Sequence, residues 1–163
     1  MENSRNNTYH TINHWNNFKL KLVFEGVIVG ALSGLAVALY RYLIELAGHF
    51  SRTIYLIQKE NNLFIPIWLV ILIFLGYFTG VLIKKEPMVS GSGIPQVEGV
   101  LLRYFNMNWW RTLLGKFVGG VISIFAGLSL GREGPSIQIG AAVAKGYSEI
   151  FKKVKLEEKF LIT

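Results

Sequence analysis

The sequence predicts an all-α membrane protein that crosses the bilayer several times on tilted and broken helices. Its composition supports this class, because 52% of the 163 residues are hydrophobic and 17% are charged, whereas soluble domains typically carry about 25% charged residues. The mean hydropathy is +0.40. A third observation is that the apolar stretches become shorter after Pro87, where glycine, proline and charge interrupt them. Such stretches can lie at membrane depth when other protein covers their polar groups.

The first 21 residues are polar and rich in asparagine, and they lack the apolar core of a signal peptide. We predict that residues 1–21 form a cytosolic tail and that residues 22–163 form the transmembrane region. Leu22–Ala47 is the first predicted span and should be tilted, since it is longer than the ~20 residues that cross the hydrocarbon. Arg41 and Glu45 lie four residues apart within it, which predicts a local ion pair.

The second predicted span is Leu63–Ile83, which contains no charged residue. A polar segment, residues 48–62, is predicted to link it to the first span. The basic residues that flank the two spans are Lys19, Lys21, Lys84 and Lys85. Because basic residues concentrate on the cytosolic side of membrane proteins, both flanks are predicted to be cytosolic.

Three weaker apolar segments follow Pro87, and none of them is suited to cross a membrane alone. They are Met88–Tyr104, Trp109–Gly131 and Pro135–Phe151. We expect them to pack against the rest of the protein, because charge and exposed backbone are costly in lipid. A basic interfacial segment, residues 152–159, comes next. A new apolar run begins at Phe160, and the sequence ends at Thr163. A truncated chain is therefore expected.

Glycines recur four residues apart in several places, which predicts close packing of helices. Small residues at this spacing let helix backbones approach each other in lipid. The sets are Gly26/Gly30/Gly34, Gly76/Gly80, Gly115/Gly119 and Gly127/Gly131. A general enrichment of glycine in transmembrane helices is the alternative for one or two of these sets.

The charge and residue content argue against several classes of function. The formal net charge is +7, but the basic residues form no single stripe with exposed aromatic residues, so nucleic acid is not an expected partner. The chain has no cysteine, and His10, His14 and His49 are scattered, so no metal site is expected. No pairing of a nucleophile with a base is visible, so we predict neither an enzyme nor a cofactor.

Two segments combine glycines, a polar side chain and a proline before a helix-compatible run, namely residues 91–99 and residues 131–138. Proline is favoured in the first turn of a helix, and glycine lets the backbone come close to a ligand. Both segments therefore predict helix N-termini. At membrane depth their free N–H groups and positive dipole ends would favour a small anion.

Ser92 and Glu133 add different chemistry to these two helix starts. The Ser92 hydroxyl can donate a hydrogen bond without a fixed charge that would trap the anion. The Glu133 carboxylate can take the place of the anion when charged and leave when protonated, which couples a proton to anion passage. A plain N-cap is the alternative for Ser92, and a capping acid paired with Arg132 or Lys116 is the alternative for Glu133.

Three motifs occur in order along the chain. They are Gly91-Ser92-Gly93-Ile94-Pro95 followed by Glu98-Gly99, then Lys116-Phe117-Val118-Gly119-Gly120, and then Gly131-Arg132-Glu133-Gly134-Pro135 with Gln138-Ile139-Gly140. Together they resemble the CLC family of chloride channels and chloride/proton exchangers. The resemblance covers essentially all of this chain and the N-terminal part of a family member. It implies the broken-helix fold of that family and a homodimer with one anion pathway in each subunit.

The resemblance also implies roles for individual residues. Ser92 would contact a central chloride, Glu133 would be the protonatable gate at an outer anion site, and Lys116 would raise the local potential. The anion-binding residues at the two helix starts would be Ser92, Gly93, Ile94, Arg132, Glu133 and Gly134.

The predicted function is chloride transport by a multi-pass protein of the plasma membrane, acting either as a channel or as a chloride/proton antiporter. Within the resemblance, Ser92 favours chloride over nitrate, and Ser92 and Pro135 together favour chloride over fluoride. The alternative of a different class is a truncated membrane fragment or interaction module that does not transport.

Overall fold

A computed structural model describes residues 2–61, 63–152 and 155–162, with the side chains of residues 20–61, 63–152 and 158–162. No strand is present in these ranges, which confirms the predicted all-α class. In chain order the helices are α1 Glu2–Glu60, α2 Phe64–Lys85, α3 Ile94–Leu101, α4 Trp109–Phe125, α5 Glu133–Ile150 and α6 Lys155–Ile162. A short 3₁₀ turn, Pro87–Val89, lies between α2 and α3.

Helix α1 is longer than the sequence predicts, because it continues without interruption to Glu60. The prediction of a separate polar link is therefore wrong for residues 48–60, and residue 62 lies outside the described residues. Tertiary packing at this end of α1 explains the difference. The Tyr55 ring meets the ring of Trp68 in α2 edge-on, with centroids 6.2 Å apart, and the Tyr55 hydroxyl donates to the Ala126 carbonyl at 3.2 Å.

Among the described residues, two helical segments are long and apolar enough to cross a membrane, judged by length and composition. Phe64–Lys85 agrees with the second predicted span. The other, Leu20–Glu60, has 41 residues, which is about 62 Å at 1.5 Å per residue and about twice the hydrocarbon thickness. Few residues of either segment are buried in the protein. Residues 2–21 belong to the same helix α1, and their cytosolic location stays a prediction.

Helix α5 is the most buried helix of the described chain and contacts α1, α3, α4 and α6. One apolar cluster joins Tyr40 and Ile44 of α1 to Ile139 of α5. A second cluster joins Val97 of α3 and Met107 to two alanines of α5. The buried small residues that allow these close contacts are Gly134, Ala141, Ala142, Ala144 and Gly146. The prediction that this weakly apolar segment is covered by other protein is confirmed.

The glycine repeats are packed in α4 and open in α1 and α2. A Cβ at Gly115 would lie 2.6 Å from Val89, and one at Gly119 would lie 3.4 Å from Leu82. Gly127 packs on Tyr55. The glycines with nothing near such a Cβ are Gly26, Gly30, Gly34, Gly76, Gly80 and Gly131. Close packing is thus confirmed for the α4 pair. In the Gly127/Gly131 set only Gly127 is packed, and the α1 and α2 sets have no such contact with a described residue.

The predicted ion pair between Arg41 and Glu45 is also wrong. Both side chains are exposed, and neither takes part in an ion pair with any described residue. An ion pair in α1 instead joins Lys21 and Glu25 at 3.9 Å.

Candidate functional site

The chain turns sharply before α3 begins, and two glycines make this turn possible. Gly91 has a φ of +66° and Gly93 has a φ of +94°, conformations that glycine adopts without the steric cost of a Cβ. Gly93 is the N-cap of α3, and Pro95 stands in the first turn of the helix. The predicted helix start is therefore confirmed. The alternative in which Ser92 is a plain N-cap is wrong, because Gly93 occupies that position.

Side chains from two other helices hold carbonyl groups of this turn. Gln138 of α5 donates to the Met88 carbonyl at 2.6 Å. Lys116 of α4 donates to the Gly91 carbonyl at 2.8 Å. Gln138 is 0% exposed and Lys116 is 5% exposed, and leaving a buried donor without its acceptor is costly. The turn is therefore fixed to α4 and α5 by hydrogen bonds from two buried side chains.

Helix α5 begins at Glu133, as predicted, directly against this turn. A Cβ at Gly134 would collide with the Ser92 carbonyl oxygen and would lie 3.0 Å from the Ser92 Cβ. A Cβ at Gly93 would lie 2.6 Å from Oε1 of Gln138. Glycine is thus required on both sides of the contact, and the N-termini of α3 and α5 meet here.

A cavity of about 350 Å³ opens beside this meeting point. Its walls come from α1, α2, α4, the turn before α3 and the start of α5. Lys116 is the only charged residue among those that line it. The hydroxyls of Tyr40, Ser92 and Ser123 also line it, and none of them makes a hydrogen bond to a described residue. A buried cation, uncommitted O–H donors and helix N-termini together favour a small anion.

The fold brings some of the predicted site residues together in the wall of this cavity and leaves others outside the wall. Ser92, Lys116 and Gly134 line the cavity, while Gly93 is buried and is not among the residues that line it. The exposed first residues of α3 and α5, Ile94 and Glu133, lie outside the set that lines it.

Arg132 faces a second cavity of about 470 Å³, which lies between the C-terminal half of α1 and residues 127–132. The alternative in which Glu133 pairs with Arg132 or Lys116 is wrong for the side chains described, since no ion pair joins them. Lys116 instead bonds the Gly91 carbonyl.

Two residues that shape the first cavity received no role from the sequence. Tyr40 is 2% exposed and lines the cavity from α1. Gln138 was part of a motif without an assigned contact. A polar group inside an apolar stretch is the signal that both share, but the sequence alone does not show that Tyr40 lines the cavity and that Gln138 holds the turn beside it.

Comparison with known proteins identifies relatives whose names refer to chloride. Residues 75–163, more than half of the chain, match the sequence pattern of a family described as voltage gated chloride channel. The H(+)/Cl(-) exchange transporter ClcA of Vibrio cholerae serotype O1 is 37% identical over 143 residues, which cover 84% of this chain and 30% of that protein. ClcA of Salmonella schwarzengrund is 33% identical over 146 residues, with 86% and 30% covered. The chain thus spans about 30% of the length of these relatives.

Proposed function

Because the chain belongs to the voltage-gated chloride channel family, we propose that the whole protein moves chloride across a membrane through the cavity beside Ser92, Lys116 and Gly134. The observation that carries this proposal is the lining of that cavity, where Lys116 is the only charged residue. The name of these relatives, H(+)/Cl(-) exchange transporter ClcA, supports chloride as the anion.

The electrostatics of the cavity favour an anion without trapping it. The Lys116 ammonium bonds a carbonyl and no carboxylate, so its positive charge is not neutralised by any described residue. Each helix N-terminus adds the equivalent of about half a positive charge through its unpaired N–H groups. These fixed dipoles bind more weakly than a second lysine would, so the anion can leave. The backbone donors proposed at the two helix starts are Gly93, Ile94, Arg132, Glu133 and Gly134, together with the Ser92 hydroxyl.

Glu133 is the proposed protonatable gate. It is the exposed first residue of α5, next to Gly134 in the cavity wall. A charged carboxylate is attracted to the N-terminus of its own helix, where it competes with the anion. Protonation removes that attraction, so the side chain leaves and the anion enters. This exchange of places would couple one proton movement to anion passage, as in a chloride/proton antiporter.

The test is ion flux in liposomes that carry the whole protein, with chloride and proton movements recorded separately. The wild type is expected to move protons against chloride. Glu133→Gln keeps the size of the side chain but cannot titrate, so chloride flux should persist while proton movement stops. Glu60→Gln makes the same chemical change at an exposed residue at the end of α1. It is the matched control and should behave as the wild type.

Each part of the proposal can fail separately. Proton movement that survives in Glu133→Gln would contradict the gate. Chloride flux in the wild type without proton movement would identify a channel and remove the coupling role of Glu133. Absence of chloride flux in the wild type would contradict transport altogether and favour the non-transporting alternative.

The proposal includes a multi-pass protein of the plasma membrane, assembled as a homodimer with a cytosolic N-terminus. The lysines beside the two spans support this orientation. Ser92 and Pro135 support chloride over nitrate and fluoride. Cross-linking of the protein in membranes tests the dimer, and competition between these anions in the flux assay tests the preference.

A further inference from the structure

We propose that Tyr40 binds the transported anion, donating its phenolic hydrogen to it from the α1 wall of the cavity. This inference rests on the proposed function, because it concerns the same cavity. It adds a ligand from a helix that neither the motifs nor the two helix starts include.

The Tyr40 ring is anchored in the protein core. The residue is 2% exposed and belongs to the cluster that joins Ile44 of α1 to Ile139 of α5. Its ring meets Phe117 of α4 edge-on, with centroids 5.4 Å apart and an interplanar angle of 68°. Such packing fixes the ring and therefore the direction in which its hydroxyl points.

The Tyr40 hydroxyl has no hydrogen-bond partner in the described part of the chain, although the residue around it is buried. The hydroxyl oxygen is not among the fully enclosed polar atoms that lack a partner, so it keeps some accessible surface and a hydrogen-bond partner can reach it. Tyr40 also lines the cavity that Ser92 and Lys116 line. A ligand in the cavity would therefore supply the acceptor that the protein does not.

The Tyr40 hydroxyl of α1 contacts α4 close to the residue that carries the buried ammonium, Lys116. A Cβ at Gly120 would collide with the Tyr40 hydroxyl, so a residue without a side chain makes room for it there. Gly120 follows Lys116 by four residues, and residues at this spacing are neighbours on one helix face, about 6 Å apart. The hydroxyl and the ammonium thus approach the same space from α1 and α4.

The chemistry selects a small inorganic anion that accepts hydrogen bonds well, such as chloride. A phenolic O–H donates one hydrogen bond and adds no charge, which suits a site that must release its ligand. Hydrogen bonds to charged partners are stronger than those between neutral groups. A large, weakly hydrated anion such as thiocyanate would gain less from this donor.

The test compares Tyr40→Phe with Tyr42→Phe in the whole protein. Both variants lose a single hydroxyl, but Tyr42 is 64% exposed and is therefore the matched control. Chloride and thiocyanate binding are measured by calorimetry on the purified protein in detergent, and melting temperatures are measured in parallel. Tyr40→Phe should bind chloride about tenfold more weakly and thiocyanate with a smaller loss. Its melting temperature should be close to that of the wild type, because the ring packing is kept.

The outcomes separate this inference from the proposal on which it rests. Chloride affinity in Tyr40→Phe equal to that of the wild type would overturn the role of Tyr40 and leave chloride transport intact. Equal losses for chloride and thiocyanate would also overturn it, since they would indicate a change of shape and not a lost donor. A wild type that does not bind chloride would overturn both proposals.

Discussion

Gly134→Ala should destabilise the protein, because the added methyl group has no free space at the point where the two helix starts meet. The new Cβ would collide with the carbonyl oxygen of Ser92 and lie 3.0 Å from its Cβ. The carbonyl belongs to the backbone of a turn that Lys116 holds through the neighbouring Gly91 carbonyl. The obstacle therefore cannot move aside as a flexible side chain would.

The size of the effect follows from two opposing terms. Overpacking a well-packed region costs about 1–3 kcal/mol, while alanine is favoured over glycine inside a helix by about 0.5–1 kcal/mol. Gly140 offers a matched control on the same helix, because the nearest atom to a Cβ there is the Ser33 Cβ at 4.0 Å. Gly134 lies in the first turn of α5 and Gly140 in its interior, so the control takes the larger propensity gain. The difference between the two variants is therefore the collision, about 1–3 kcal/mol, plus at most about 1 kcal/mol of propensity.

Thermal unfolding of the purified protein in detergent measures this difference. Gly140→Ala should melt at or above the wild-type temperature, and Gly134→Ala should melt several degrees lower, at about 2–4 °C for each kcal/mol in a domain of this size. Equal melting temperatures for the two variants would refute the reasoning. The contact between the starts of α3 and α5 would then be wrong, and the geometry of the cavity with it.

Two further predictions concern the side chains that hold the turn. Lys116→Met keeps the buried stem but removes the only charge among the residues that line the cavity. Chloride affinity should fall at least tenfold, because a unit charge within several ångströms of the anion contributes more than about 1.4 kcal/mol at an effective dielectric of about 20. Unchanged affinity in calorimetry would count against an electrostatic role. Gln138→Leu removes the donor to the Met88 carbonyl and should cost about 1–3 kcal/mol in unfolding free energy. Ser136→Ala, on the same helix, removes a hydroxyl that donates to the Arg132 carbonyl four residues earlier, a local contact that adds little to a helix. It should change the unfolding free energy by less than about 0.5 kcal/mol, and equal losses in the two variants would contradict a special role of the Gln138 amide.

Sequence reasoning succeeded where a structural feature depends on neighbouring residues. The uncharged segment Leu63–Ile83 corresponds to α2, because length and apolarity are enough to specify such a helix. Prolines and glycines predicted the starts of α3 and α5, since these residues restrict or free the local backbone.

The same reasoning failed where distant residues decide the outcome. Polar residues near the end of α1 suggested a loop, yet packing of Tyr55 against Trp68 keeps that stretch helical. The spacing of Arg41 and Glu45 allowed an ion pair that does not form among the described side chains. Equal glycine spacing in α1 and α4 did not reveal that the α4 pair is the packed one.

The sequence by itself determined the helical membrane class and the two helix starts, and it predicts the kind of ligand that they favour. All three follow from residue types and short spacings, which act through local backbone geometry and charge. The tertiary structure alone decided that Ser92, Lys116, Gly134 and Tyr40 line one cavity. These residues come from separate segments, and no local pattern specifies how helices pack, because packing depends on the fit of surfaces that are far apart along the chain.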